Sequence, residues 1–134
     1  MKIALISCSS KKSNKIEKAK NLYTSQLFKS ALRYAEKNSN KIFILSAKHH
    51  LLNLEQEIEP YNLTLNNMKD NEIKLWADKV LEQLSQLTNL KEDEFIFLAG
   101  ERYRRYLIPQ IKNYSIPMQG LGIGKQLKWL KENS

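Results

Sequence analysis

Five residues that can do chemistry, Cys8-Ser9-Ser10-Lys11-Lys12, follow the first apolar run of the chain. Hydroxyl and ammonium groups are donors that suit a phosphate or carboxylate, so Ser9, Ser10 and Lys12 are candidate anion ligands. Lysines near a thiol favour its nucleophilic thiolate form, which makes Cys8 a candidate catalytic residue. A cysteine at the end of a strand is also typical of a small buried residue, and this alternative stays open.

A second segment that could bind an anion is Gly120-Leu121-Gly122-Ile123-Gly124. Alternating glycines let backbone N–H groups approach an anion closely, and a helix start adds partial positive charge. The spacing fits neither the dinucleotide-binding fingerprint nor a Walker loop. Gly122 and Gly124 are therefore candidate phosphate-binding positions. The alternative is a turn that only lets the last helix pack.

The two histidines of the chain are adjacent, at His49 and His50, and follow Lys48. Neighbouring residues do not share one face of a strand or helix, and the single cysteine is distant in sequence, so we predict no metal site. His49 is a candidate general acid or base because imidazole titrates near neutral pH. A surface histidine without a catalytic role is the alternative.

One carboxylate, Glu59, is the second candidate for acid–base chemistry because it lies in a long irregular segment beside Pro60. It could act on a bound nucleobase or on a water, or it could be part of a loop anchor. Five further residues are predicted to line the pocket: Tyr23, Ser25, Ser46, Lys48 and Tyr61. A helix that follows a strand adds Arg102, Arg104 and Arg105 beside tyrosines, as in nucleic-acid surfaces.

Apolar runs that alternate with amphipathic segments predict the elements that position these groups. Strands are expected at residues 2–7, 41–46, 94–99 and 115–118. Helices are expected from Thr24 or Ser25 through 37, at 70–87 with Asp70 as the cap, at 101–112 and at 125–131. This order predicts a single-domain α/β three-layer sandwich with about four parallel strands and helices on both faces. Ligands of such sheets bind at the carboxyl ends of the strands, where the polar segments lie.

Composition limits the partners that we expect. The 134 residues suit one domain, and 22 basic against 14 acidic residues give a net charge of +8. This charge favours a nucleotide or nucleic acid as partner, although a lysine-rich solvated surface would also produce it. One cysteine excludes an internal disulfide, and no run approaches a signal peptide or membrane span, so we expect a cytoplasmic protein without a membrane partner. No cofactor is predicted, and the sequence leaves the oligomeric state open.

Several of these segments together resemble the YaaA-like peroxide-stress proteins. The resemblance covers residues 41–106 and rests on Leu45 to Leu52, Ile58 to Leu63, Trp76-Ala77 and Phe97 to Tyr103. Members of that family have a strand that ends in Leu-Ser, a Pro-Tyr-x-Leu segment, a Phe-Trp helix and a strand that ends in Ala-Ser-x-x-Tyr. The resemblance implies DNA binding and protection against oxidative damage.

The opening of the chain is similar to two other groups. A small bacterial and phage family of unknown function begins with Cys-Ser-x-x-Lys and continues with Leu-Tyr-x-Ser-x-Leu-Phe, which matches Leu22 to Phe28. Cys8 and Lys12 also resemble the Cys-x-x-x-Lys element of archaeosine synthase, which transfers lysine to a modified guanine in tRNA. The Lys-Pro-Tyr continuation of that element is replaced here by Ser13 and Asn14.

These observations lead to a hypothesis about function. We expect a nucleotide- or nucleic-acid-binding domain that acts in nucleobase modification or DNA repair, with its pocket at the carboxyl ends of the strands. An enzyme of this kind would catalyse group transfer or hydrolysis at a base or a glycosidic bond. The alternative is a non-catalytic DNA-binding stress-response protein that uses its basic surface, and a small-molecule sensor is a third hypothesis.

Overall fold

The computed structural model describes residues 1–134 and contains seven strands. In chain order they are β1 (Lys2–Ser7), β2 (Glu17–Lys18), β3 (Lys41–Ser46), β4 (His50–Asn53), β5 (Glu57–Ile58), β6 (Glu94–Leu98) and β7 (Asn113–Ser115). Five of them form the main sheet in the order β4-β3-β1-β6-β7, while β2 and β5 form a small antiparallel pair. The four strands β3, β1, β6 and β7 run parallel, as predicted, and β4 adds an antiparallel edge.

Five α-helices connect and cover the strands: α1 (Ala19–Leu22), α2 (Gln26–Asn38), α3 (Asp70–Leu87), α4 (Glu101–Arg104) and α5 (Ile123–Asn133). The chain steps from β1 to β3 in one direction and from β3 to β6 in the other. Right-handed crossovers therefore place α2 and α3 on opposite faces of the sheet. Helix α5 packs beside α2, and α4 packs beside α3, which confirms the α/β sandwich.

The two long helices follow the sequence pattern closely. Ser25 caps α2 by accepting a hydrogen bond from the backbone N–H of Phe28. Helix α3 buries Ile73, Trp76, Ala77, Val80 and Leu84 on one stripe. Its cap is Lys69 rather than the predicted Asp70, because the side chain of Glu72 accepts from the backbone N–H of Lys69. None of the helices is long and apolar enough to cross a membrane.

Three further sequence predictions about elements were wrong. The last strand lies at Asn113–Ser115 rather than at residues 115–118, because Pro117 cannot donate to a strand ladder. The helix predicted for residues 101–112 ends at Arg104, and a short 3₁₀ helix, Ile108–Gln110, contains Pro109. The segments predicted as loops hold β2, α1, β4, β5 and a 3₁₀ helix at Leu65–Asn67, which are too short to give a clear period.

Candidate ligand-binding site

A cavity of about 550 Å³ lies at the carboxyl ends of β1 and β6. The helix after β1 and the helix after β6 cover opposite faces of the sheet, so the chain leaves a crevice between these strands. Apolar side chains from the sheet, from α2 and from the segment before α5 form much of the wall: Leu27, Phe28, Phe97, Ile116, Met118 and Leu121. The exposed Leu63 and Ile123 also belong to the wall and place apolar groups at the mouth.

The charge of the wall has one sign. Arg102 and Arg104 belong to it, and no aspartate or glutamate does. One guanidinium nitrogen of Arg102 donates to the carbonyl of Asn66 at 2.9 Å, and one of Arg104 donates to that of Ala99 at 2.7 Å. Neither arginine forms an ion pair with a carboxylate. The cavity therefore favours an anionic guest over a cationic one.

Backbone donors add to this preference. Ser9 and Ser10 line the cavity, and their N–H groups donate to no other group of the protein. The N–H groups of Gly120 and Ile123, at the other side of the wall, also donate to no group of the protein. Gln126 closes this turn by donating from its backbone N–H to the carbonyl of Gly122 and from its side-chain amide to that of Leu121. Unpaired N–H groups on two facing loops are a usual means of binding phosphate.

The predicted glycines differ from one another in their surroundings. Gly120 has a φ of 81° and belongs to the wall, so its conformation requires glycine. Gly122 is the N-cap of α5 and Gly124 lies in its first turn, and neither belongs to the wall. A Cβ atom at either position would meet no protein atom within 4 Å. Their backbones are therefore open to the outside of the fold.

Three hydroxyl groups form a chain of hydrogen bonds beside the cavity. The hydroxyl of Tyr61 lies 2.7 Å from the Oγ of Ser46 and 2.6 Å from the hydroxyl of Tyr23. Ser46 is fully buried and Tyr23 is 1% exposed. The Nζ of Lys12 lies 4.5 Å from the ring centre of Tyr61 and 5.8 Å from that of Tyr23. The sequence prediction thus grouped four residues that the fold brings together, although none of them lines the cavity.

Burial sets the protonation of this hydroxyl chain. It raises the pKa of Tyr23 to about 12 and raises the pKa of Tyr61 well above its usual range. Burial also lowers the pKa of Lys12, while the charge of a Cys8 thiolate acts to raise it. Both tyrosines are therefore neutral at physiological pH and act as hydrogen-bond donors and acceptors, not as bases.

Cys8 connects the cavity to the buried side chains behind it. Its Sγ lies 3.3 Å from the hydroxyl of Tyr103, and both residues belong to the cavity wall. The ring of Tyr103 meets that of Trp76 edge to face at 5.6 Å, and the indole N–H of Trp76 donates to the carbonyl of Ser46 at 2.9 Å. Cys8 is therefore held in a packed and hydrogen-bonded setting while it faces the cavity.

The remaining catalytic candidates lie away from the cavity. The ring of His49 contacts that of Tyr61 at 5.4 Å, its backbone N–H donates to Ser46 Oγ, and its Nε2 is buried without a partner. Burial, with the nearby Lys48 charge, lowers the pKa of His49. Lys48 and Glu59 are exposed, and Glu59 makes no hydrogen bond or ion pair. Of the three predicted catalytic residues, the fold places Cys8 alone in the wall.

Several wall residues were not predicted from the sequence as site residues, among them Thr64, Asn66, Gln119 and Gln126. Isolated polar residues such as these carry no pattern that would have revealed them. Ser25 was predicted and does line the cavity. No cluster of three or more His, Cys, Asp or Glu side chains is placed to hold a metal ion.

Comparison with known proteins gives one match. Residues 3–132 match the model of a family described as a family of unknown function, DUF6884. No curated protein and no solved structure matches the chain.

Proposed function

The chain belongs to DUF6884, a family of unknown function, and from the geometry of its cavity we propose that it binds a nucleotide, free or within a nucleic acid, and modifies its base. The observation that carries this proposal is a wall that combines two arginines, unpaired backbone donors and apolar side chains, without any carboxylate. A nucleotide has the matching parts, an anionic phosphate and a planar base.

The phosphate would lie between the Ser9-Ser10 turn and the turn at Gly120–Gly124. Both turns carry N–H groups that have no acceptor in the protein, and the guanidinium groups of Arg102 and Arg104 would supply charge-assisted hydrogen bonds. Lys12 stays beside the cavity, where its ammonium group lies over the Tyr61 ring and donates weakly to the carbonyl of Ser10. It would add positive potential to the turn that holds the phosphate.

The base would occupy the apolar part of the cavity. Leu27, Ile116 and Leu121 give partly exposed apolar surface there, and Gln119 gives an amide group that can read the edge of a base. The volume of about 550 Å³ falls in the range usual for small-molecule pockets, roughly 300 to 1,000 Å³. In the proposed reaction, a group transfer or hydrolysis at the base or its glycosidic bond, Cys8 is the catalytic candidate at hand. We place the protein in the reducing cytoplasm, which would keep this thiol free.

Calorimetric titration with the four common nucleoside 5′-monophosphates, the matching nucleosides and inorganic phosphate tests the proposal. We expect a monophosphate to bind more tightly than its nucleoside, and Arg102→Gln or Arg104→Gln to weaken it about tenfold or more. The control is Arg33→Gln, which removes the same charge from an exposed position of α2 outside the wall. Lack of binding by every nucleotide at millimolar concentration, or equal losses in Arg33→Gln and Arg102→Gln, would contradict it.

A second candidate function is DNA binding without catalysis. It is favoured by the exposed lysines of α5, of which Lys125 and Lys131 have no ion-pair partner, and by the net charge of +8. In this case duplex affinity would fall steeply with salt, and Lys125→Gln would reduce the salt dependence by about one charge. Duplex binding that is unchanged by Arg104→Gln, together with no nucleotide binding, would favour this function over the first.

A further inference from the structure

We infer that Cys8 is a nucleophile that the cavity presents to an electrophilic carbon of its ligand, and that Tyr103 is the residue that positions it. The inference rests on the proposed function, because it adds a reacting atom to the same cavity. Cys8 lies where β1 ends and belongs to the same cavity wall as the two arginines. The residue is 9% exposed, so the cavity is the route by which a reactant would reach its thiol.

The hydrogen bonds of Tyr103 give the thiol its direction. The hydroxyl oxygen of Tyr103 accepts a long hydrogen bond from the backbone N–H of Leu65, at 3.4 Å. The Sγ of Cys8 lies 3.3 Å from the same hydroxyl, and when Cys8 is a thiolate, which has no proton, the hydroxyl is the donor in this contact. A donor aimed at sulfur stabilises the thiolate, which is the nucleophilic form. The Tyr103 ring is buried and packs edge to face against that of Trp76, and this packing keeps its hydroxyl beside the thiol.

Charge in the surroundings acts in the same sense. The ammonium group of Lys12 and the guanidinium groups of Arg102 and Arg104 lie near the thiol or in the wall it shares, and the wall has no carboxylate to oppose them. A thiolate there is attracted by the ammonium group of Lys12, and the two arginines add positive potential to the same wall. The same cations attract an anionic ligand, so the reactant and the nucleophile are drawn to one place. A soft carbon centre on a phosphate-bearing molecule is the class of reactant that fits.

Alkylation by iodoacetate and iodoacetamide tests this without knowledge of the natural ligand. In this step the Sγ electron pair forms an S–C bond, iodide leaves with the electrons of the C–I bond, and the thiol proton passes to the buffer. The measured quantity is the ratio of the alkylation rate with anionic iodoacetate to that with neutral iodoacetamide. We expect this ratio to be higher for the full chain than for glutathione, and lower for Arg102→Gln than for wild type. We expect Tyr103→Phe to slow both reagents by about tenfold, since it removes one charge-assisted hydrogen bond.

The control is Tyr106→Phe, because the hydroxyl of Tyr106 donates to Asp70 and not to the thiol. Rates equal in Tyr103→Phe and wild type, or a reagent preference equal to that of glutathione, would overturn the inference. If Tyr103→Phe does not fold, the inference is tested by the iodoacetate preference of wild type and of Arg102→Gln alone. Calorimetry of wild type and Cys8→Ser with nucleoside monophosphates separates the two proposals. If nucleotides bind but the wild-type thiol is unreactive, only this inference is wrong. If wild type binds no nucleotide, the proposed function is wrong.

Discussion

The hydroxyl oxygens of Tyr23 and Tyr61 lie 2.6 Å apart, although 38 residues separate them in the chain. The contact joins the segment before α2 to the long connection between β5 and α3, and Ser46 extends it to the end of β3. Three segments beside the cavity are therefore joined by a chain of hydroxyl groups. Each member of this chain depends on Tyr61, which makes both hydrogen bonds.

Removal of the central hydroxyl should cost more than removal of a terminal one. Tyr61→Phe leaves the buried hydroxyls of Ser46 and Tyr23 without this partner, so we expect a loss of about 1–3 kcal/mol in the free energy of unfolding. Tyr23→Phe removes one hydrogen bond and should cost less. Urea unfolding of both single variants and of the double variant gives the coupling energy. The exposed Tyr114→Phe is the control, and additivity of the two single changes would contradict the chain of hydrogen bonds.

Alkaline pH should weaken the fold through the same residues. The pKa of Tyr23 is raised to about 12 by burial, whereas an unfolded tyrosine titrates near 10. Between these values the folded chain keeps a proton that the unfolded chain has lost, so stability is complete below about pH 10 and falls as pH rises. We expect up to about 1.4 kcal/mol per pH unit from Tyr23.

The measurement is urea unfolding at several pH values between 8 and 11.5. Tyr23→Phe should show a shallower decline above pH 10, whereas Tyr114→Phe should keep the wild-type decline. The raised pKa of Tyr61 acts in the same direction, so part of the decline should persist in Tyr23→Phe. A stability that does not change up to pH 11.5 would show that these hydroxyls are not buried in solution.

The sequence predicted the long buried strands well and the site only in part, because burial leaves a clear apolar pattern and a binding site does not. Strands β1 (Lys2–Ser7) and β3 (Lys41–Ser46) are buried inside the sheet, so their apolar runs have clear ends. The edge strand β7 has no such run and was misplaced. The strand-end rule correctly drew Cys8, Ser9 and Ser10 to one cavity. It could not show that Tyr103, 95 residues from Cys8, meets its sulfur, nor that Glu59 lies outside the wall, because side-chain direction in irregular segments has no period.

Substitutions of Ser25 should affect helix stability and ligand binding separately. Its Oγ caps α2 by accepting from the N–H of Phe28 at 3.2 Å, and the residue also lines the cavity. Ser25→Ala should destabilise the fold by about 1 kcal/mol, whereas Ser25→Asp should keep the cap, because aspartate is an equally good N-cap residue. The aspartate adds a negative charge to a wall that has none, so it should weaken nucleotide binding.

Thermal unfolding and calorimetry with a nucleoside monophosphate measure the two effects of these variants. Ser25→Asn is the matched control, since asparagine caps a helix without a charge. It should bind the nucleotide more tightly than Ser25→Asp at similar stability. Equal affinities of the two variants would mean that the phosphate lies far from Ser25, which would contradict the proposed site.

The three glycines before and within α5 should respond differently to alanine. Gly120 has a φ of 81°, so Gly120→Ala should cost about 1–2 kcal/mol of strain. Both Gly122 and Gly124 have ordinary φ values and open space at the Cβ position. Gly124 lies within α5, so alanine should leave stability unchanged or raise it slightly, whereas Gly122 is the N-cap, where alanine is a poorer residue and should cost up to about 1 kcal/mol. If their backbones contact the phosphate, a methyl group in that open space should still weaken nucleotide binding. Nucleotide-induced protection against thermal unfolding that is retained in the Gly122→Ala, Gly124→Ala double variant would mean that the phosphate contacts only the wall residues, and the turn would then have a structural role alone.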